Sequence, residues 1–407
     1  MLDERLRAGL LAAFVLGLGV SITLAQAALA ALALRLVWRL ATGRARPAGW
    51  PLAGFFAAWV AASLLAVLLS PRPLESLGAA RGLLLVATFY VVLDALGDRR
   101  EAQWLLTALL ALAAVLGLVG SLQVALCPDL ASVGPLLGRV ARKCERAHAF
   151  YSIYMTLAGV LSLVLLAALP SVLQAATGRR WRWVAWLLGG LGLALTYVRG
   201  AWLGFLAGAA VLLGLVRRGR LLLVAGVVVL VVAVLATPGL RRRAESIVDP
   251  TDSTARERLA MWRSGVAMLA DHPVTGVGPG QVKHVYPRYV EPEFADKRRG
   301  HLHNTPLQVA VERGLLGLAA WVALFAAFFR QAARRLAALG PGEREARALV
   351  VGSLAAVAGF LVGGLTEYNF GDSEVVMVAY TVMALPFVAA RAEDDGAMTA
   401  PLLSPAS

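Results

Sequence analysis

Residues 299–308 read RGHLHNTPLQ and bring together side chains that could do chemistry. His301 and His303 flank one leucine, and an Asn-Thr-Pro follows. Histidine titrates near neutral pH, so either ring could take a proton from a hydroxyl as a general base. Two alternatives stay open, namely a structural role at the surface and metal ligation together with His272 or His284.

Arginines at the ends of apolar segments form a second candidate set. Arg199 lies in TYVRGAW between two apolar segments, and Arg81 and Arg146 also lie near segment ends. Charges at membrane depth are costly and are usually functional, and the guanidinium fork binds phosphate with two hydrogen bonds. The alternative is that these side chains extend to lipid headgroups.

Other polar residues have two possible roles each. Asn304 could hold a sugar hydroxyl or cap the helix that follows it. Glu367 and Asp372, in LTEYNFGDSE, could bind hydroxyls or pair with one of the arginines. Glu312 is expected as a buried partner or a helix-packing residue. Carboxylates are few in this part of the chain, so Mg²⁺ or Mn²⁺ is not favoured, and no metal site is predicted.

The composition identifies the elements that must position these residues. The chain has 407 residues, of which 59% are hydrophobic and 16% charged, and its mean hydropathy is +0.71. A soluble domain carries about 25% charged residues, so a polytopic membrane protein is predicted. The net charge of +14 suits cytoplasmic loops or an anionic substrate and does not require nucleic acid.

Apolar segments long enough to cross the membrane recur along the whole chain. A crossing takes about 20 residues. The stretch 9–40 is too long for one untilted crossing, and we expect it to break near Ser21 into two spans, for a total of about 12. If it is one span, the total is about 11. The other segments lie near 51–69, 78–96, 102–122, 149–169, 183–198, 201–216, 220–237, 304–329, 348–366 and 374–390.

Basic residues concentrate in alternate short connections, which places those connections in the cytoplasm. All five histidines then face outward. The 123–148 connection is basic as well, but its neighbours on both sides place it outside. Cys127 and Cys144 fall in this connection and form either a disulfide or two free thiols.

The sequence thus predicts an all-α integral membrane protein in four parts. A large periplasmic loop is expected to contain an amphipathic helix near 254–270. In that helix, an apolar stripe of Leu259, Trp262, Val266 and Leu269 should face the membrane or the bundle. The parts are about nine spans in 1–237, the loop at 238–303, three spans in 304–391 and a cytoplasmic tail at 392–407.

Further polar features belong to this loop. Arg256, Arg258 and Arg263 should project from its helix. The helix is followed by HPVTGVGPG, whose glycines and prolines indicate a tight irregular loop with exposed backbone amides.

Four motifs in order carry a family resemblance. VRGAW, RLAMW, HPVTGVGPG and HLHNTPLQVAVERGLLGL together resemble the O-antigen ligase and polymerase superfamily of bacterial envelope enzymes, most closely the ligases, over about 195–320. The family's arginine at the span junction matches Arg199, its arginine four before tryptophan matches Arg258, and its histidine before asparagine matches His303. Val198 stands where the family often has serine.

The resemblance implies an inverting, metal-independent glycosyltransferase of GT-C-like architecture with no cofactor. Its donor would be a glycan on undecaprenyl diphosphate and its acceptor lipid A–core, among membrane lipids at the periplasmic face of the bacterial inner membrane. A polymerase using the same donor is the alternative, and a polysaccharide transporter is less expected because the charges cluster at one face. The catalytic set would be His303, Arg199 and Arg258, and substrate would be bound by Arg81, Arg146, Arg263, His301, Asn304 and Glu367.

Overall fold

The computed structural model describes residues 2–44, 50–126, 145–174, 180–215, 241–242, 245, 253–294 and 299–389. Every regular element in these ranges is helical. The predicted span at 220–237, both cysteines and the predicted tail at 392–407 lie outside the described residues.

The helices largely follow the predicted segments. They are α1 (Leu2–Val20), α2 (Ile22–Ala41), α3 (Ala53–Leu68), α4 (Pro73–Ala79), α5 (Ala87–Ala95), α6 (Arg99–Leu126), α7 (Tyr154–Leu173), α8 (Trp181–Leu195), α9 (Arg199–Leu215), α10 (Ser253–Asp271), α11 (Val282–Val285), α12 (Thr305–Ala338), α13 (Arg344–Gly363) and α14 (Ser373–Ala389). The 3₁₀ segments are Ala80–Val86, Tyr286–Arg288, Pro292–Phe294 and Asn369–Gly371.

In the described part of the chain, six helical stretches are long and apolar enough to cross a membrane, one of which joins α4, a 3₁₀ segment and α5: Ile22–Ala41, Pro73–Ala95, Arg99–Leu126, Tyr154–Leu173, Thr305–Ala338 and Arg344–Gly363. Shorter apolar helices accompany them: Ala53–Leu68, Trp181–Leu195, Arg199–Leu215 and Ser373–Ala389. This length and composition fit an integral membrane protein.

The first apolar stretch is two helices, as the length argument predicts. Ser21 separates α1 from α2 and caps α2 by accepting a hydrogen bond from Leu24 N at 3.4 Å. The helices approach closely here, since a Cβ on Gly17 would lie 2.3 Å from Ala25 N. Arg35 in α2 pairs with Asp3 in α1 at 2.7 Å, so the two helices run antiparallel.

The centre of the bundle consists of α7, α13 and α14, which are buried on nearly all sides. Small residues allow their neighbours to pack closely. A Cβ on Gly204 of α9 would lie 2.4 Å from Gly359 O of α13, and one on Gly352 would lie 2.1 Å from Ala167 O of α7.

Ion pairs join helix ends on one side of the bundle. Arg39 contacts Asp94 at 2.5 Å, and Arg99 contacts Glu343 at 3.6 Å. Arg7 also pairs with Glu101. These ends border connections that the charge bias assigns to the cytoplasm. The candidate site residues gather around other connections, those before α9 and α12 and that between α13 and α14.

Helix α10 spans the residues predicted to be helical near 254–270, and the predicted apolar stripe packs only in part against the rest of the protein. Leu259 and Val266 are 47% and 60% exposed. The buried face instead carries Met261, Ser264, Gly265 and Met268, with Trp262 and Leu269 half-buried at its border. Gly265 is part of this face because only a residue without a Cβ lets Leu302 and Leu307 approach it.

The loop after α10 docks on a break in α12. Gly314 has φ 66° and ψ −171°, which interrupts the helix. Val277 N donates to Val311 O at 2.8 Å, Gly278 N to Glu312 O at 3.0 Å, and Leu315 N to Pro273 O at 2.7 Å. These bonds satisfy groups that the break would leave unpaired. Several loop amides expected to be exposed are therefore used in packing.

Gly314→Ala should destabilise the protein. The residue has a positive φ, and an added Cβ would lie 2.0 Å from Val274 O. We expect a loss of about 2–4 kcal/mol, seen as a lower melting temperature in detergent. The control is Gly190→Ala in α8, where a Cβ would meet nothing within 4 Å. Equal melting temperatures for the two variants would contradict this account of the break.

Candidate functional site

A single carboxylate joins two residues of the predicted catalytic set. Arg258 Nη2 on α10 donates to Glu367 Oε1 at 2.5 Å. His303 Nδ1, just before α12, is 3.1 Å from Glu367 Oε2. Glu367 lies in the connection between α13 and α14. Its pairing with an arginine is one of the two roles expected from the sequence, and its contact with His303 is additional.

The environment of Glu367 keeps it ionised. Burial on its own raises the pKa, but the hydrogen bond from His303 and the charge of Arg258 outweigh it and hold the pKa of Glu367 below its ordinary value. An ionised carboxylate only accepts hydrogen bonds, so His303 Nδ1 carries the proton. In the neutral ring, Nε2 then has the free lone pair that a base requires.

His301 is half-buried and lies against the ring of His303. The two rings have centroids 4.3 Å apart and are steeply inclined at 68°. Burial, with a further contribution from His303, lowers the pKa of His301 to about 4. Its Nδ1 is buried and has no hydrogen-bond partner among the residues that the structure describes. His301 is therefore neutral at pH 7 and a weak base, which favours His303 for proton abstraction.

Unusual backbone geometry precedes both site helices. His303 has φ 48° and Tyr197, two residues before Arg199, has φ 56°. Non-glycine residues rarely adopt this conformation, and it persists only where surrounding contacts impose it. The two segments that deliver a histidine and an arginine to the site are thus held in defined, strained turns.

Asn304 occupies the capping role. Its Oδ1 accepts from Leu307 N at 2.9 Å, and its Nδ2 donates to Leu365 O at 3.0 Å. Both ends of the amide are engaged, and they join the start of α12 to the connection that carries Glu367. Of the two roles expected for Asn304, this is the one the structure displays.

Three arginines line one cavity of about 120 Å³. Arg199 is the first residue of α9 and is only 9% exposed. The Arg146 guanidinium lies 4.6 Å from the centre of the Tyr154 ring, a cation–π contact. Among the described residues, the lining is Arg146, Tyr154, Met155, Tyr197, Val198, Arg199, Thr254, Arg258 and Glu367. These residues bring three cations against one carboxylate, so the cavity suits an anion.

Two predicted substrate-binding arginines lie elsewhere. Arg81 is exposed on the 3₁₀ segment Ala80–Val86. The Arg263 side chain is 64% exposed and pairs with Glu291 at 3.4 Å. Neither lines the arginine cavity. Arg263 follows Arg258 by five residues, a rotation of about 140° around the helix, which turns it toward solvent.

A larger cavity of about 280 Å³ also borders Glu367. Its walls are mainly apolar residues of α7, α9 and α13, and its polar end includes His301, Glu367 and Asp372. The Asp372 carboxylate accepts from Thr156 Oγ1 at 2.5 Å, so a helix-to-helix contact occupies it. Such a cavity can accommodate an apolar chain next to the polar site.

Sequence analysis missed Tyr154 and Thr254 as cavity residues. A tyrosine or threonine in the first turn of a helix has no local pattern that indicates a cavity residue. The metal alternative finds no support within the described ranges, since no group of three or more His, Cys, Asp or Glu residues there could hold an ion.

Comparison with known families bears directly on this site. Residues 183–322 match a family model described as O-antigen ligase. The chain carries a domain of the O-antigen ligase family. The resemblance drawn from the motifs is thereby confirmed, and this domain contains Arg199, Arg258 and His303. No curated protein matches the chain.

The O-antigen ligase domain does not contain the whole site. It covers α8 to α10, the docked loop and the first half of α12. Arg146 and Glu367 lie outside it, on either side along the chain. The arginine cavity and the His303 contact are therefore completed by segments beyond the matched region.

Proposed function

We propose that the protein is an O-antigen ligase. It would transfer glycan from undecaprenyl diphosphate to a sugar hydroxyl of lipid A–core at the periplasmic face of the bacterial inner membrane. The observation that carries the proposal is Glu367, which binds His303 with one oxygen and Arg258 with the other, beside a cavity lined by three arginines. A base next to an anion site suits transfer from a diphosphate.

The arginines bind the donor diphosphate in this proposal. Arg199 and Arg258 provide planar forks whose charge persists at any physiological pH, and Arg146 adds a third. As the glycosidic bond breaks, negative charge grows on the departing diphosphate. Fixed cations in a half-enclosed cavity stabilise that charge with little reorganisation, and no metal ion is required.

His303 acts on the acceptor. Its Nε2 takes the proton of a sugar hydroxyl while the oxygen attacks the anomeric carbon from the face opposite the diphosphate. The bond to the donor oxygen breaks, the new glycosidic bond forms, and the configuration inverts. Glu367 accepts the hydrogen bond from Nδ1–H and so orients the ring. Its negative charge also stabilises the imidazolium that results.

The membrane arrangement completes the proposal. About 12 spans in a GT-C-like architecture would place the histidine, the arginines and Glu367 at the periplasmic surface. The described ion pairs support this arrangement, because residues at ends assigned to the cytoplasm contact each other and the site residues gather at other connections.

Purified protein should transfer glycan in the presence of EDTA. Undecaprenyl-diphosphate glycan and lipid A–core are the substrates, and the product is resolved by gel and mass spectrometry. We expect glycan on lipid A–core with an inverted linkage, at a rate that chelation does not change. Longer undecaprenyl-linked chains would identify a polymerase instead. Loss of transfer with EDTA and its return with Mg²⁺ would contradict the metal-independent mechanism.

A further inference from the structure

Leu302 lies between the two histidines, and its side chain, its backbone N–H and its carbonyl each make a contact that fixes its position. Its side chain is fully buried and lies against Gly265 of α10. Its backbone N–H donates to Gln308 Oε1 at 2.9 Å. Its carbonyl accepts from Trp262 Nε1 at 3.1 Å. Two side chains thus replace the backbone partners that an irregular segment lacks.

The amide of Gln308 is itself fixed. Gln308 is fully buried, and its Nε2 donates to Glu312 Oε1 at 2.9 Å. Glu312 pairs with Arg313 at 2.6 Å and also accepts from Gly280 N at 2.9 Å. Because the nitrogen of Gln308 faces a carboxylate, its oxygen must face Leu302. The hydrogen bond from Leu302 N–H to Gln308 is therefore fixed by buried side chains of α12.

Leu302, which these contacts fix, directly precedes His303, whose backbone conformation is strained. His303 has φ 48°, and the next residue, Asn304, is fixed by its two capping bonds. With both neighbours held, the direction of the His303 side chain is set, and its Nδ1 meets Glu367. Without the hold on Leu302, the turn can relax to a less strained conformation and move the ring.

We infer that Trp262 and Gln308 are positioning residues for His303. They act through the Leu302 backbone and bind neither donor nor acceptor. Neither residue lines the arginine cavity, so donor binding should not depend on them. The inference rests on the proposed function in one respect, which is that His303 serves as the base.

Trp262→Phe removes the indole N–H and keeps most of the ring. We expect kcat to fall about tenfold or more with KM for the donor unchanged. Trp186→Phe is the matched control, because Trp186 of α8 is also half-buried and its Nε1 donates to Leu165 O of α7 at 3.0 Å. Both variants should lose similar stability, but only Trp262→Phe should lose turnover. Wild-type kcat in Trp262→Phe would overturn the inference.

A double-variant test separates positioning from general support of the fold. If Trp262 acts through His303, adding Trp262→Phe to His303→Ala should cause no further loss of the residual rate. An undiminished tenfold loss in that background would show that the indole acts by another route and would overturn the inference.

Amide hydrogen exchange tests the anchor without reference to catalysis. Gln308→Ala should raise the exchange of a peptide covering 299–304, and Trp186→Phe should not. Absence of transfer by the wild-type protein would defeat the proposed function, and this measurement would still decide the anchor. Unchanged exchange in Gln308→Ala would show that the bond to Leu302 does not hold the segment.

Discussion

His303→Ala is expected to lower the rate of glycan transfer by about 10²–10⁴-fold while the protein still folds. The ring donates to Glu367 at 3.1 Å through Nδ1, which leaves Nε2 to take the acceptor proton. Alanine removes the base but leaves the three arginines of the donor cavity in place. Donor binding should therefore persist while transfer is lost, as measured with purified protein and labelled donor.

Two further variants make the result specific. His303→Gln keeps a side-chain donor that can reach Glu367 but supplies no base, so it should be as inactive as the alanine variant. His272→Ala changes an exposed histidine directly after α10 and should remain active. Transfer at the wild-type rate in His303→Ala would remove His303 from the mechanism.

Local patterns predicted the parts of the fold that local physics determines. The break at Ser21 follows from an apolar run too long for one crossing and a residue that caps helices well. The start of α12 follows in the same way from Asn304, with a proline at the second helical position. The motif match likewise singled out Arg199, Arg258 and His303 before their surroundings were known.

Long-range contacts account for most of what the sequence left undetermined. Glu367 is separated by 109 residues from Arg258 and by 64 from His303, so no spacing rule links them. The sequence did not reveal the buried face of α10, because Ser264 and Gly265 do not count as apolar, although Gly265 leaves the space that Leu302 fills. Glu312 proves to be a buried partner, because its carboxylate accepts hydrogen bonds from Gly280 N of the docked loop and from Gln308 of the same helix.

The second large effect is expected for Arg258→Lys. The guanidinium donates to Glu367 at 2.5 Å and also lines the arginine cavity, so one planar group faces both the carboxylate and the donor site. Lysine keeps the charge but has a compact ammonium on a flexible stem, without a rigid fork. It can satisfy Glu367 or a phosphate, but it cannot hold both in the geometry that arginine fixes. We expect kcat/KM to fall about 10²-fold, measured by transfer with purified protein.

An arginine at the other end of the bundle provides the control. The Arg35 side chain is 9% exposed and binds both oxygens of Asp3, at 2.8 and 2.7 Å, and also Asp94. Arg35→Lys therefore removes a guanidinium that binds a carboxylate far from the candidate site. It should lower the melting temperature without changing transfer per folded molecule. A similar loss of transfer in both variants would mean that Arg258 acts through stability alone. A loss confined to Arg258→Lys requires that the fork itself serves the reaction, because the charge is the same in both proteins.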